Sequence, residues 1–122
     1  MKNMINWFEI PVTDFARAKK FYETVLDIQI KEGEFGPWKM GFFPSFEGKV
    51  SGAIVIGQGY EPTEKGTLIY LNCNPDLSIH LARVEAADGK IAVPKKQISP
   101  ETGYWACIID TEGNRLAFHS KN

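Results

Sequence analysis

Residues 14–30 read DFARAKKFYETVLDIQI, and residues 76–91 read DLSIHLARVEAADGKI. In the first stretch Phe15, Ala18, Phe21, Tyr22, Val25 and Leu26 recur at spacings of three and four, which draws one apolar stripe along a helix. Asp14 stands where a carboxylate accepts the free amides of a first helical turn. The pattern predicts helices over Asp14 to Leu26 and, in the second stretch, over Asp76 to Ala87. The two aspartates stand 62 positions apart, and the same offset carries Gly41-Phe42-Phe43 onto Gly103-Tyr104-Trp105. The loops Glu47-Gly48-Lys49 and Glu112-Gly113-Asn114 correspond at an offset of 65, and each precedes a short apolar run, Ala53 to Ile56 and Leu116 to Phe118. A repeat of this length implies two copies of one supersecondary unit. Two half-sheets joined in that way are expected to enclose a cleft.

Strands fill the intervals. Met4 to Val12 alternates and ends at Pro11 and Asp14. Ile28 to Lys31, Trp38 to Phe43 and Ser51 to Ile56 follow, broken at Gly33, at Gly36-Pro37 and over Pro44 to Lys49. Gly57 to Gly66 holds three glycines and a proline, the composition of a linker. Thr67 to Cys73, Lys90 to Ile98, Gly103 to Asp110 and Arg115 to His119 supply four more strands. The order is β-α-β-β-β, twice, in one α+β domain. Module 1 covers about residues 1–57, the linker 58–66 and module 2 about 67–122.

Composition narrows the function. The chain has 122 residues, 43% hydrophobic and 24% charged, enough for one core without staples. A net charge of −1 with interspersed signs gives no broad basic field, so neither nucleic acid nor an anionic membrane surface is an expected partner. No apolar run approaches a membrane span, and the N-terminus lacks the apolar core of a signal peptide. Cys73 and Cys107 sit inside apolar runs without ligand or redox spacing, as expected of reduced, buried thiols in a cytoplasmic protein.

Ile5-Asn6-Trp7-Phe8-Glu9-Ile10-Pro11-Val12, followed by Asp14 and the Phe21-Tyr22 pair, resembles the first module of the vicinal oxygen chelate superfamily. That group includes glyoxalase I, extradiol dioxygenases, bleomycin-sequestering proteins and fosfomycin-resistance enzymes. The tail from Gly103 through Asp110-Thr111-Glu112-Gly113-Asn114-Arg115 is similar to its final hairpin, and Leu116 to Ser120 is similar to an uncharacterised branch. The resemblance implies two β-α-β-β-β modules forming an incomplete eight-stranded barrel around a cavity.

It also implies where a divalent ion would be held. The first ligand position lies fifteen residues before the tyrosine of the Phe-Tyr pair, and Trp7 occupies it. The last lies four residues after the glycine of the final turn, and Ala117 occupies it. The middle two belong to the fourth and fifth strands, yet Ser51 to Gly57 and Thr67 to Cys73 hold neither Glu nor His. Indole and methyl groups supply no donors for such an ion, so no metal and no cofactor are expected.

Strand alternation then selects the side chains that share the inner face. If Trp7 faces inward, so do Ile5 and Glu9; if Ala117 does, so do Arg115 and His119. Phe8, Ile10, Leu116 and Phe118 would pack on helices. Glu9 and His119 are thereby candidates for general base and acid, with the His119 pKa expected to rise beside the carboxylate. Trp7, Trp38, Phe42, Tyr104, Trp105 and Arg115 are candidate ligand-binding residues, since aromatic walls suit a planar or apolar molecule. His80 is a surface or flanking position, one of Lys95 and Lys96 points inward or both guard a sheet edge, and Tyr60 either sits on a lid over the cavity mouth or lies in a solvated loop. Two functions fit. One is a metal-independent lyase or isomerase acting on a small organic molecule. The other is a metal-free binding or sequestering protein of the bleomycin-resistance type. A homodimer is expected in either case.

Overall fold

The computed structural model describes residues 3–122, so the first two residues of module 1 lie outside it. Module 1 is β1 (Trp7–Pro11), α1 (Phe15–Leu26), β2 (Lys31–Phe35), β3 (Trp38–Phe42) and β4 (Ser51–Ile56). Module 2 is β5 (Tyr70–Asn72), α2 (Leu77–Leu81), β6 (Lys90–Ser99), β7 (Gly103–Ile109) and β8 (Arg115–Ser120). Each forms a four-stranded sheet of the same design, ordered β1-β4-β3-β2 and β5-β8-β7-β6, with the first and last strands of each module parallel. Among the described residues no strand of one sheet joins the ladder of the other. The two sheets are open and curved and form no closed barrel, in keeping with the incomplete barrel expected of two such modules, and surface depressions line them.

The repeat is clearest at the helix starts. Asp14 and Asp76 both adopt extended backbone and cap their helices, accepting the amides of Arg17 at 3.1 Å and Ser78 at 2.9 Å. Gly48 and Gly113 both take positive φ, 67° and 91°, just before the last strand of their modules. The Gly41 and Gly103 match does not mark equivalent places. Gly41 lies near the end of β3, where its missing side chain admits Ile30, Ile54 and Phe15, whereas Gly103 opens β7 with φ 99°.

Three other expectations are corrected. The second helix stops at Leu81, and bonds such as Arg83 N–H to His80 O continue it as tight turns to Asp88. It buries little beyond Leu77 and Val84, too thin a stripe to sustain a long helix. The strand read as Ile28 to Lys31 lies later, at Lys31–Phe35, with Gly33 inside it rather than ending it. Being an edge strand, it has no apolar alternation to reveal it. A 3-10 turn at Phe46–Gly48 interrupts the segment read as loop. Pro94 stands within β6, where the register slips between Val93 and Lys96, as a residue without an N–H requires.

One core serves both modules. Phe15, Ala18, Phe21, Tyr22 and Val25 of α1 pack with Ile10 and Ile54 of the first sheet, and with Leu77, Val84, Ile108, Leu116 and Phe118 of the second module. The inner faces of both sheets therefore point away from this shared helix layer.

The turn 110–114 fastens the modules together. Glu112 accepts the backbone N–H groups of Thr13 at 2.9 Å and Asp14 at 2.8 Å, and the Arg17 Nε at 2.7 Å, with its side chain fully out of solvent. Burial pushes the Glu112 pKa up, but the Arg17 guanidinium and the two amides outweigh it and hold the carboxyl down at about 2. Tyr22 donates to Asp110 Oδ2 at 2.6 Å inside the core, and Asn114 Nδ2 donates to Pro11 O at 2.7 Å.

Candidate functional site

Register fixes what each inner face displays. In module 1 Trp7 pairs with Ser51, Glu9 with Ala53, Phe42 with Ala53, Met40 with Val55, and Phe35 with Trp38. Trp7, Phe35, Trp38, Met40 and Phe42 therefore share one face with Glu9. The rings touch: Trp7 and Phe42 centroids lie 6.2 Å apart, and Phe35 meets Phe42 edge to face at 5.8 Å. Gly33 makes room for this cluster, since a β-carbon there would lie 3.0 Å from the Phe42 ring. Unlike core aromatics, Trp7, Phe35 and Trp38 remain 44%, 53% and 39% exposed. Trp38 also donates its indole N–H to Gln58 O at 3.0 Å, pinning the linker beside the face. Phe35 was not among the residues singled out from sequence, because β2 was misplaced there.

The inner face of module 2 carries different chemistry. Lys96 pairs with Trp105, Trp105 with His119, and His119 with Asn72, one row across all four strands. Beside it runs the row Val93, Cys107, Ala117, Tyr70, and then Lys90, Ile109, Arg115. Tyr104 is not part of this face. It alternates with Trp105 and packs toward the core, with the Lys95 ammonium 4.6 Å from its ring centre. Of the two lysines, Lys96 points inward, while Lys95 reaches Asp76 Oδ1 at 2.9 Å on the helix side.

Glu9 and His119 both lie on inner faces, as alternation required, but they are not partners. Glu9 Oε1 accepts the Tyr60 hydroxyl at 2.5 Å, and this bond raises the Tyr60 pKa. His119 Nε2 lies 2.7 Å from Thr102 O. No ion pair within 4.0 Å links the two, and they line separate depressions. Glu9 instead shares a seam depression of about 230 Å³ with Arg115, Thr63, Thr67 and Asn114, where β1 and β8 come close. Tyr60 thus does sit over an inner-face residue. His80 lies edge-on to Phe118, and burial foremost, with Arg83 adding, pushes its pKa down.

The positions that the family resemblance assigns to metal ligands do not fit an ion. Trp7 and Ala117 offer no donors, their strand partners Ser51 and Tyr70 are neutral, and the Ser51 hydroxyl is already bonded to Phe43 O and Pro44 O. Among the described residues no three His, Cys, Asp or Glu side chains gather closely enough to hold a metal.

Two open β-α-β-β-β sheets with parallel first and last strands, backed by one helix layer, define a paired-module fold with solvent-facing inner surfaces. The chain belongs to the Glyoxalase/Bleomycin resistance protein/Dioxygenase superfamily, whose model matches residues 4–118. No curated protein matches it. Among solved structures it is similar to a glyoxalase/bleomycin resistance protein from Streptomyces sp. CB03234, at 19% identity and TM-score 0.73, covering 94% of this chain and 98% of that one. TnmS3, an antibiotic binding protein from the same Streptomyces, is similar at 18% identity and TM-score 0.70, covering 98% and 97%. Glyoxalase I from Zea mays is similar at 16% identity and TM-score 0.70, covering 94% of this chain. The chain spans only 45% of that maize protein's length. At these identities the likeness is one of fold. No helix of the described residues is long and apolar enough to cross a membrane.

Proposed function

We propose that this chain is a metal-free small-molecule binding protein of the antibiotic-sequestering kind, holding a planar ligand against the inner face of module 1. The observation that carries this reading is the solvent-facing cluster of Trp7, Phe35, Trp38 and Phe42. Contiguous exposed aromatics cost free energy in water unless something covers them. The alternative, proton transfer by Glu9 and His119, loses its support because each side chain is held by a different partner. A relative in fold that is an antibiotic binding protein supports the same choice.

A homodimer belongs to this reading. An inner face left open in one chain is completed if the module 1 face of one copy opposes the module 2 face of another, giving a ligand two walls. The buried thiols Cys73 and Cys107, with burial pushing Cys73 up to about 12, suit a cytoplasmic setting that keeps them reduced. The test is titration with the neutral dye N-phenyl-1-naphthylamine, read by dye fluorescence and tryptophan quenching. Saturable binding in the micromolar range, weakened about tenfold in Trp7→Ala, is expected. Absence of saturable binding, or binding untouched by Trp7→Ala, contradicts the reading.

A further inference from the structure

The two inner faces differ in charge in a way that selects the ligand. On module 1, Lys31 and Glu9 stand at opposite ends of the row Lys31, Phe42, Ala53, Glu9, so the aromatic face is close to neutral. On module 2 the rows built from β5, β6, β7 and β8 carry Lys90, Lys96 and Arg115, with His119 beside them and no carboxylate. A chain with net charge −1 concentrates three cations on a single sheet face. None of the three takes part in a salt bridge or donates a side-chain hydrogen bond among the described residues, although Arg17, Lys19, Lys39, Lys49 and Lys95 all pair with carboxylates. Glu9 lines the seam depression with Arg115 but has one oxygen held by Tyr60.

From this segregation, and resting on the binding function proposed above, we infer that the ligand is a planar aromatic anion, recognised through Lys96 and Arg115. Lys96 is cross-strand neighbour to Trp105, so an aryl carboxylate or sulfonate stacked on that indole places its charge beside the ammonium. Arg115, at the seam, supplies a planar fork that matches a carboxylate or sulfonate in two hydrogen bonds. His119 and Asn72 complete the Trp105 row with polar edges for neutral oxygens of the ligand. The aromatic face of module 1 binds ring systems without regard to charge; the module 2 face decides the sign.

Three dyes of similar ring size separate the possibilities: anionic 1-anilinonaphthalene-8-sulfonate, neutral N-phenyl-1-naphthylamine and cationic acridine orange. The sulfonate is expected to bind roughly tenfold more tightly than the neutral dye, the worth of a charge-assisted hydrogen bond at a partly exposed site. Lys96→Gln combined with Arg115→Gln is expected to abolish that preference, the sulfonate and the neutral dye then binding within about twofold of each other. Circular dichroism and thermal midpoints check that the variant is folded, and each single variant serves if the double variant is not. Equal binding of anionic and neutral dyes, or tighter binding of the cation, overturns the inference and leaves the binding function standing. Failure of all three dyes overturns both. Displacement of the sulfonate dye by a single-stranded oligonucleotide at low micromolar concentration also overturns it, in favour of a polyanion.

Discussion

The two modules share a ladder but not a surface. Both pair their first strand with their last in parallel, both start their helix on an aspartate, and both turn into their last strand through a glycine with positive φ. Yet the inner face of module 1 shows Trp7, Phe35, Trp38 and Phe42, and that of module 2 shows Lys96, Trp105, His119 and Arg115. Repetition constrains the residues that make hydrogen bonds and core; the outward-facing half of each strand is free to carry different chemistry. The turn between β7 and β8 adds a further asymmetry. Its carboxylates reach across to module 1, whereas the corresponding Glu47 is exposed and pairs only with Lys49 at 3.7 Å.

That asymmetry gives the largest expected effect. Glu112→Ala removes the acceptor for Thr13, Asp14 and Arg17 and should cost about 3 kcal/mol in urea unfolding, whereas Glu47→Ala should stay within about 0.5 kcal/mol. Acid sharpens the contrast. The folded Glu112 pKa of about 2 lies below its ordinary value of 4.5, so its contribution is complete above that value and disappears as pH falls toward 2. Wild-type urea midpoints should drop through that window, and Glu112→Gln should show a flatter profile. Equal costs for Glu112 and Glu47 would show that the turn does not fasten the modules.

Next comes the aromatic face. Trp7→Ala should weaken N-phenyl-1-naphthylamine about tenfold with a thermal midpoint shift of only a few degrees, because the side chain is nearly half exposed. A third comparison uses neighbours in one strand. Trp105→Ala should reduce dye binding and spare stability, while Tyr104→Ala should cost about 1–2 kcal/mol of stability and spare binding. The reverse result would mean that the register of β7 had been assigned to the wrong face. The smallest effect belongs to Tyr60→Phe. Removing its hydroxyl frees Glu9 and should change stability by under about 1 kcal/mol, with a measurable change in dye association rate in stopped flow.

Much of this was legible in the amino-acid order. The stripe of α1, the Asp14 cap, the helix start at Asp76 and the strands β4, β7 and β8 follow from local period and turn chemistry, which act over a few residues. Edge strand β2 escaped because Lys31-Glu32-Gly33-Glu34-Phe35 buries neither face, so no alternation marks it. The short α2 escaped because tight turns reuse the same spacing as a helix. At the site, alternation placed Trp7, Glu9, Arg115 and His119 on inner faces, whereas Trp38, Phe42 and Trp105 were picked out only as aromatics lying in strands. It could not supply the tertiary partners Tyr60 and Thr102 that separate Glu9 from His119. Tyr104 was misassigned by ignoring alternation against its own neighbour.

The span of the Glu112 and Asp110 contacts has a consequence for how the chain is made. Thr13 and Glu112 are 99 residues apart, and Tyr22 and Asp110 are 88 apart. While module 1 leaves the ribosome alone, the amides before α1 lack their carboxylate and the Tyr22 hydroxyl, due to be buried, lacks its acceptor. Module 1 is therefore incomplete as a separate unit until the final hairpin arrives, and closure over so long a separation slows the last step of folding. Arrival of the 110–114 turn is the event that completes module 1, so a truncation before Asp110 should leave the N-terminal half sensitive to protease although none of its own residues is missing.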